Sequence, residues 1–292
     1  MKIGLSSDSS CTLYGDNATN NNISIFPLNV IVNGEEFLDG VNIDHKQFLS
    51  DMRSGKNIKT STPPPQDVIN YFTKLFEKEN YDYIIHFTIS SKLSSMFSLF
   101  TMISEEYFNN KVIVIDSYSV CSLMCSHIFY AKECIEQGKS IETIKEELEK
   151  RKNNDSIIFI PENLTALKNG GRISPAIAAI GNLIGLKPVL KLEDGGLVKD
   201  STTRNVKKTM CELIPKLIEK FPIDKYDYCI HTFDGDPKLI EFVNNQLKQN
   251  GIDTHNKTFD IALNVCAHCG PGTIGLLISQ KIGNRSYYEF IK

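Results

Sequence analysis

Tyr83-Ile84-Ile85-His86-Phe87-Thr88-Ile89, followed by Ser90-Ser91-Lys92-Leu93-Ser94-Ser95, is the stretch that decides the fold. A mainly apolar, β-rich run gives way to a hydroxyl-rich turn, and a helix-periodic segment follows over residues 95–108. The next β-rich run, residues 111–115, repeats the arrangement with Asp116-Ser117-Tyr118-Ser119 and a helical segment over 119–137. Strands separated by helices of this length are βαβ units, which predicts a mostly parallel sheet with helices on both faces. Working outward, residues 2–5 and 24–32 supply further strands, the first followed by Ser6-Ser7-Asp8-Ser9-Ser10. Ligands of open α/β sheets bind beyond the carboxyl ends of strands, so the three hydroxyl-rich segments are expected along one crevice. Helix N-capping accounts equally well for any one of them taken singly.

Ser140 reads as the N-cap of a charged connecting helix with a solvated outer face, in which Ile141, Ile144 and Leu148 recur at helical spacing. The polar stretch Lys152-Asn153-Asn154-Asp155 behind it marks a domain boundary. A chain of 292 residues is long enough for two cores. The expected architecture is α/β: residues 1–153 form the mostly parallel domain, and residues 154–292 a mixed α/β domain. In the second half a strand (156–160), a helix (163–168), the loop Asn169-Gly170-Gly171-Arg172 and an amphipathic segment (175–186) come first. Strands over 187–192 and 197–201 flank Glu193-Asp194-Gly195-Gly196, a hairpin turn built from residues that tolerate positive φ. A helix (204–219), a strand (228–232), a helix (237–250) and two final strands around Gly270-Pro271-Gly272 complete the reading.

The chain carries 32 basic and 35 acidic residues for a net charge of −3, without the basic footprint of a nucleic-acid binder. An apolar fraction of 41% with 23% charged residues excludes disordered and collagen-like classes. No apolar run approaches the roughly 20 residues of a membrane span, so no stable membrane anchor is expected. The amino terminus turns polar after Leu5, too early for an export signal, and eight cysteines are then expected as free thiols in a cytoplasmic protein.

Gly270-Pro271-Gly272-Thr273-Ile274-Gly275 has the letters of a dinucleotide fingerprint, but the following Leu276-Leu277-Ile278 reads as a strand where a helix is required. Walker A and G-x-S-x-G motifs are absent. Cys266-Ala267-His268-Cys269 offers soft ligands at close spacing, yet a structural zinc site needs four and the other cysteines stand apart, so no metal is expected. What remains is a set of hydroxyls. Thr60-Ser61-Thr62 precedes the proline-rigid turn Pro63-Pro64-Pro65 at the start of a helix, and Ser90–Ser95 occupies the next strand-to-helix junction. Neutral hydroxyl donors beside helix starts suit an anion, such as a carboxylate at the mouth of an apolar cavity.

These segments, in this order, resemble the DegV family of bacterial fatty-acid-binding proteins. The resemblance runs nearly end to end, through Ser7-Asp8-Ser9, Thr60-Ser61-x-Pro63, Ile89-Ser90-Ser91-x-Leu93-Ser94 and Ile115-Asp116-Ser117. It continues in Leu164-x-x-Leu167-Lys168-x-Gly170-Gly171-Arg172-Ile173-Ser174, Lys187-Pro188-Val189, Arg204 and His268-x-Gly270-Pro271-Gly272-x-x-Gly275. It implies a two-domain α/β protein that holds one long-chain fatty acid in an interdomain tunnel. It also implies a fatty acid kinase B-type subunit, without catalytic residues of its own, that presents the acyl carboxylate to a separate ATP-dependent kinase subunit for acyl phosphate formation. Carried over by position, the carboxylate ligands are Thr60, Ser94 and His268, with Ser61, Arg172 and Arg204 as head-group or partner contacts. No cofactor is implied beyond the bound fatty acid.

Two positions depart from the family pattern: Thr62 stands where Gln is usual and Ser95 where Gly is usual. The apolar lining is expected from residues 175–186 together with Phe97, Phe100, Ile103 and Leu123, each of which ordinary core packing would also explain. The alternative reading is a serine-dependent acyl-ester hydrolase with Ser94 as nucleophile and His268 as base. It requires a third, orienting carboxylate, for which Asp8 and Asp116 are the candidates.

Overall fold

The computed structural model describes residues 1–174 and 185–291. The first half runs β1 (Ile3–Asp8), α1 (Gly15–Asn20), β2 (Ile23–Phe26), β3 (Asn29–Val32), β4 (Glu35–Leu38), α2 (His45–Arg53) and β5 (Ile58–Ser61). It continues through α3 (Pro65–Glu79), β6 (Tyr83–Thr88), α4 (Met96–Phe108), β7 (Val112–Asp116), α5 (Cys121–Glu136) and α6 (Ile141–Lys152). The second half opens with β8 (Ser156–Ile160), α7 (Thr165–Asn169), β9 (Lys187–Glu193), β10 (Gly196–Thr203) and α8 (Val206–Lys220). It ends with β11 (Tyr226–Phe233), α9 (Pro237–Gln249), β12 (Thr258–Asp260), α10 (Leu263–Cys269) and β13 (Thr273–Gln280).

Strands β2-β1-β6-β7 pair in parallel throughout, as the β–loop–helix alternation predicts. On β6 the His86 ring meets Phe72 of α3 and Phe100 of α4, so Ile85 and Phe87, one residue out of phase, face the other side. Burial on both faces is why this strand reads as a near-continuous apolar run.

The expected single strand over residues 24–32 is two strands in two sheets. Pro27 lies between them and has no N–H to donate to a ladder. The chain leaves the parallel sheet there, and β3 pairs antiparallel with β4 and β5 in a small sheet the sequence reading did not foresee.

The six-stranded sheet has the order β10-β9-β8-β13-β11-β12 and is antiparallel except between β11 and β12. Its hairpin turns at Asp194 and Gly195, whose φ of 48° and 76° give the twist that matches the strands. Alternation on β8 divides the sheet: Ile158 and Ile160 pack with Met210 and Ile214 of α8 and Val243 of α9, while Ile157 and Phe159 join the core of the first half. The two expected strands around Gly270-Pro271-Gly272 are one helix and one strand. Leu263, Cys266, Ala267 and Cys269 are buried at helical spacing, and Gly270, at φ 75°, ends α10 with its N–H bonded to the Cys266 carbonyl.

The connecting helix α6 is only partly solvated, because Ile141, Ile144, Leu148 and Arg151 are buried. Arg151 donates to Ser126 Oγ at 3.0 Å and to the carbonyls of Gln280 and Lys281. Beside it Asp155 bonds His127 Nε2 at 2.6 Å and accepts the Gln280 N–H at 3.1 Å, with both side chains buried. Asp155 thus ties α5 to β13. Its replacement by Ala strands the buried His127 ring and the partly buried Gln280 N–H, at about 1–3 kcal/mol each. Urea unfolding of Asp155→Ala is expected to show a loss of about 3 kcal/mol, and a loss below about 1 kcal/mol would remove this tie from the account.

Candidate functional site

A cavity, partly open to solvent, lies between the first half and the inner face of the six-stranded sheet. Its walls are mainly apolar, with Leu28, Ile89, Leu93, Met96 and Val120 on one side and Ile157, Phe159, Leu192, Leu197 and Leu277 on the other. Period-two alternation delivers the second group, since Ile157 and Phe159 occupy the β8 face opposite α8 and α9.

Thr60, Ser61, Thr62, Ser94, Ser95, Arg172 and His268 also line it. Thr60 and Ser61 end β5, Ser94 closes the turn after β6, and His268 stands in the last turn of α10. Thr60 Oγ1 lies 2.9 Å from His268 Nε2. Ser94 donates its backbone N–H to the Ser90 carbonyl, which holds the turn closed ahead of α4. Arg172 donates Nε–H to the Leu93 carbonyl at 3.2 Å and Nη1–H to the Gly170 carbonyl, so it bridges the loop after α7 to the turn carrying Ser94. Thr62 Oγ1 and Ser95 Oγ lie 3.2 Å apart.

Burial, and secondarily the Arg172 guanidinium, push the His268 imidazole down to a pKa of about 4, so the ring is neutral at pH 7. Among the described residues, Ser61 Oγ and His268 Nδ1 are buried without a hydrogen-bond partner. The site therefore offers hydroxyls, a neutral imidazole and one guanidinium at the edge of an apolar cavity.

The three hydroxyl-rich segments do converge. Asp8 accepts the Ile89 and Ser10 N–H groups, Asp116 accepts those of Ser91 and Tyr118, and Ser90 N bonds the Ser119 carbonyl. Burial pushes the Asp8 carboxyl up to about 6. Ser6 to Ser10 are fully buried and line no part of the cavity, so they brace the loops rather than contact a ligand. Both candidate orienting carboxylates are thus committed to backbone donors. Among the described residues, His268 bonds Thr60 on one nitrogen and no carboxylate on the other.

Arg204 is exposed and outside the cavity lining. Phe97, Phe100, Ile103 and Leu123 are not lining residues either; Phe100, Ile103 and Leu123 are core, Phe100 stacking on His86 at 4.3 Å. Their helical period is shared by core and ligand faces alike, so sequence could not separate the two. Of the expected apolar segment 175–186, residues 175–184 lie outside the described residues. The reading missed Leu28 and Asn29, which reach the wall only because β3 leaves the parallel sheet, and Asn264 and Val265, which do so because α10 is a helix.

A DegV domain-containing protein of Mycoplasmopsis pulmonis is 29% identical over 228 residues, 78% of this chain and 78% of its own length. One from Clostridium acetobutylicum is 27% identical over 286 residues, 96% of this chain and 99% of its own. Among solved structures, a fatty-acid-binding DegV family protein from Thermus thermophilus superposes with a TM-score of 0.86 at 26% identity, covering 96% of this chain and all of that one. A DegV lipid binding protein from Thermotoga maritima gives 0.81 at 26% identity, covering 96% and 99%. The profile of the DegV family, described as one of uncharacterised proteins, matches residues 2–281, and this chain belongs to that family.

Proposed function

We propose that the chain binds one long-chain fatty acid in this cavity and presents its carboxylate to a separate ATP-dependent fatty acid kinase subunit, which forms the acyl phosphate. The observation that carries the reading is the pairing of a mainly apolar cavity with a cluster of neutral hydrogen-bond donors at Thr60 and His268. The fatty acid binding of the Thermus thermophilus relative supports it. In this reading Thr60, Ser94 and His268 form the carboxylate site, Thr60 and Ser94 donating to it and His268 acting through its bond to Thr60, and Ser61 and Arg172 stand beside it. The two units, 1–153 and 154–292, close on the acyl chain, and the exposed Arg204 contacts the partner. The protein works in the cytoplasm and supplies no catalytic group; among the described residues no helix is long and apolar enough to cross a membrane.

Energetics divide the work. Burying about 14 methylenes at roughly 0.8 kcal/mol each gives on the order of 11 kcal/mol before ordering costs. Hydrogen bonds to a charged head group contribute about 1.5–3 kcal/mol each, enough to orient the ligand and reject chains lacking a carboxylate.

Native mass spectrometry of the purified chain is expected to show one bound or bindable C14–C18 fatty acid. Loaded protein should yield acyl phosphate only with a kinase subunit and ATP. Failure to bind any such acid would overturn the reading, whereas binding without acyl phosphate would remove the kinase step alone. Thr60→Ala and Ser94→Ala should each weaken binding by roughly tenfold, about 1.4 kcal/mol, without changing stoichiometry; wild-type affinity in the double variant would move the head group elsewhere. A carboxylate beside His268 favours the imidazolium, so NMR titration of its ring should show the midpoint rising from about 4 when fatty acid is added. An unchanged midpoint would separate the histidine from the ligand.

A further inference from the structure

The adjacent glycines of the loop after α7 are there for different reasons. Gly171 has φ 68°, a left-handed conformation that favours glycine, and a Cβ on it would meet nothing within 4 Å. Gly170 has φ −76° and ψ −12°, which any residue adopts, yet a Cβ on it would lie 2.2 Å from His268 Nδ1 and 3.2 Å from the Ala166 carbonyl oxygen. Gly171 serves the backbone; Gly170 serves the space in front of the histidine. The Gly170 carbonyl also accepts from Arg172 Nη1, so this one residue touches both nitrogenous side chains at the polar end of the cavity.

We propose that Gly170 is a positioning residue that seats the His268 ring and fixes its tautomer, with the proton on Nε2. The close face of Gly170 leaves Nδ1 buried and, among the described residues, without a partner. A proton on Nδ1 would be a buried N–H with nothing among the described residues to receive it, and an unpaired lone pair there is the lesser cost. A proton on Nε2 instead points at Thr60 Oγ1, 2.9 Å away. That hydroxyl then accepts from the ring, and its own hydrogen turns outward to donate. The opposite tautomer would make Thr60 donate to the ring and face an anion with its lone pairs. The tautomer therefore decides whether Thr60 attracts a carboxylate or repels it, and burial, with the Arg172 guanidinium second, keeps the ring from gaining a second proton.

The inference rests on the proposed carboxylate site, but its first measurement needs no ligand. Long-range ¹H–¹⁵N correlation spectra of the wild-type chain at pH 7 are expected to show His268 protonated on Nε2 alone. Protonation on Nδ1 would overturn the proposal even if fatty acid binds. Gly170→Ala should displace the ring, mix the tautomers and weaken binding of palmitate at least tenfold, whereas Gly171→Asn, which tolerates positive φ, should keep the Nε2–H tautomer and near-wild-type affinity. In a His268→Ala background Gly170→Ala should cause little further loss. An equal loss there would assign Gly170 a purely structural part, and failure of the wild-type chain to bind palmitate would count against the cavity's proposed ligand while leaving the tautomer result standing.

Discussion

The bond between Thr60 Oγ1 and His268 Nε2 joins residues 208 positions apart, one on the small antiparallel sheet and the other at the end of α10. Everything that makes a cavity of this interface is organised around such crossings. His45 Nε2 lies 2.7 Å from the Ile261 carbonyl just before α10, Asn264 Nδ2 donates to Ser10 Oγ at 2.8 Å, and Ser90 Oγ donates to the Gly195 carbonyl at the hairpin tip at 2.6 Å. These bonds fix the rim and wall while the apolar residues between them are left to face one another. Ile157, Phe159 and Leu277 join the core of the first half, so the two halves share one core around the cavity and the polar posts frame its edge.

The same arrangement explains the electrostatics. Burial lowers the basicity of His86 and His231 to about 3 and of His268 to about 4, and raises the Asp8 and Asp39 carboxyls to about 6. The sign differs between the two groups. The histidines cost stability as pH falls from their unfolded value near 6.5 toward 4, because only the unfolded chain readily takes up their protons. The two aspartates cost stability as pH rises from about 4 through 6, since the folded state prefers them protonated. Their opposing slopes overlap between pH 4 and 6.

Much of the fold was legible in the sequence because parallel strands buried on both faces announce themselves as apolar runs, and β6 and β7 are such runs. The small antiparallel sheet was not, since β4 is only Glu35–Leu38 with no buried residue, and its pairing is set by contacts no local pattern encodes. Pro27 was a readable stop signal within an otherwise plausible strand. Helix α10 was misread because Leu263, Val265 and Cys266 satisfy a strand pattern until Ala267 and Cys269 complete the helical period. Of the site, the hydroxyl-rich turns were visible as polar punctuation at strand ends. The two-sidedness of the cavity was not, because it depends on which of two alternating faces of β8 meets the first half.

The family pattern and the geometry meet most usefully at Thr62 and Ser95. Both were expected to depart from the residues usual in the family. Their hydroxyls lie 3.2 Å apart, one beyond β5 and the other at the N-cap of α4, so together they link the two segments that carry Thr60 and Ser94. Ser95 makes no side-chain capping bond to its own helix, which leaves its hydroxyl for this contact. The pair thus ties the spacing of Thr60 and Ser94 to two short side chains at the edge of the cavity.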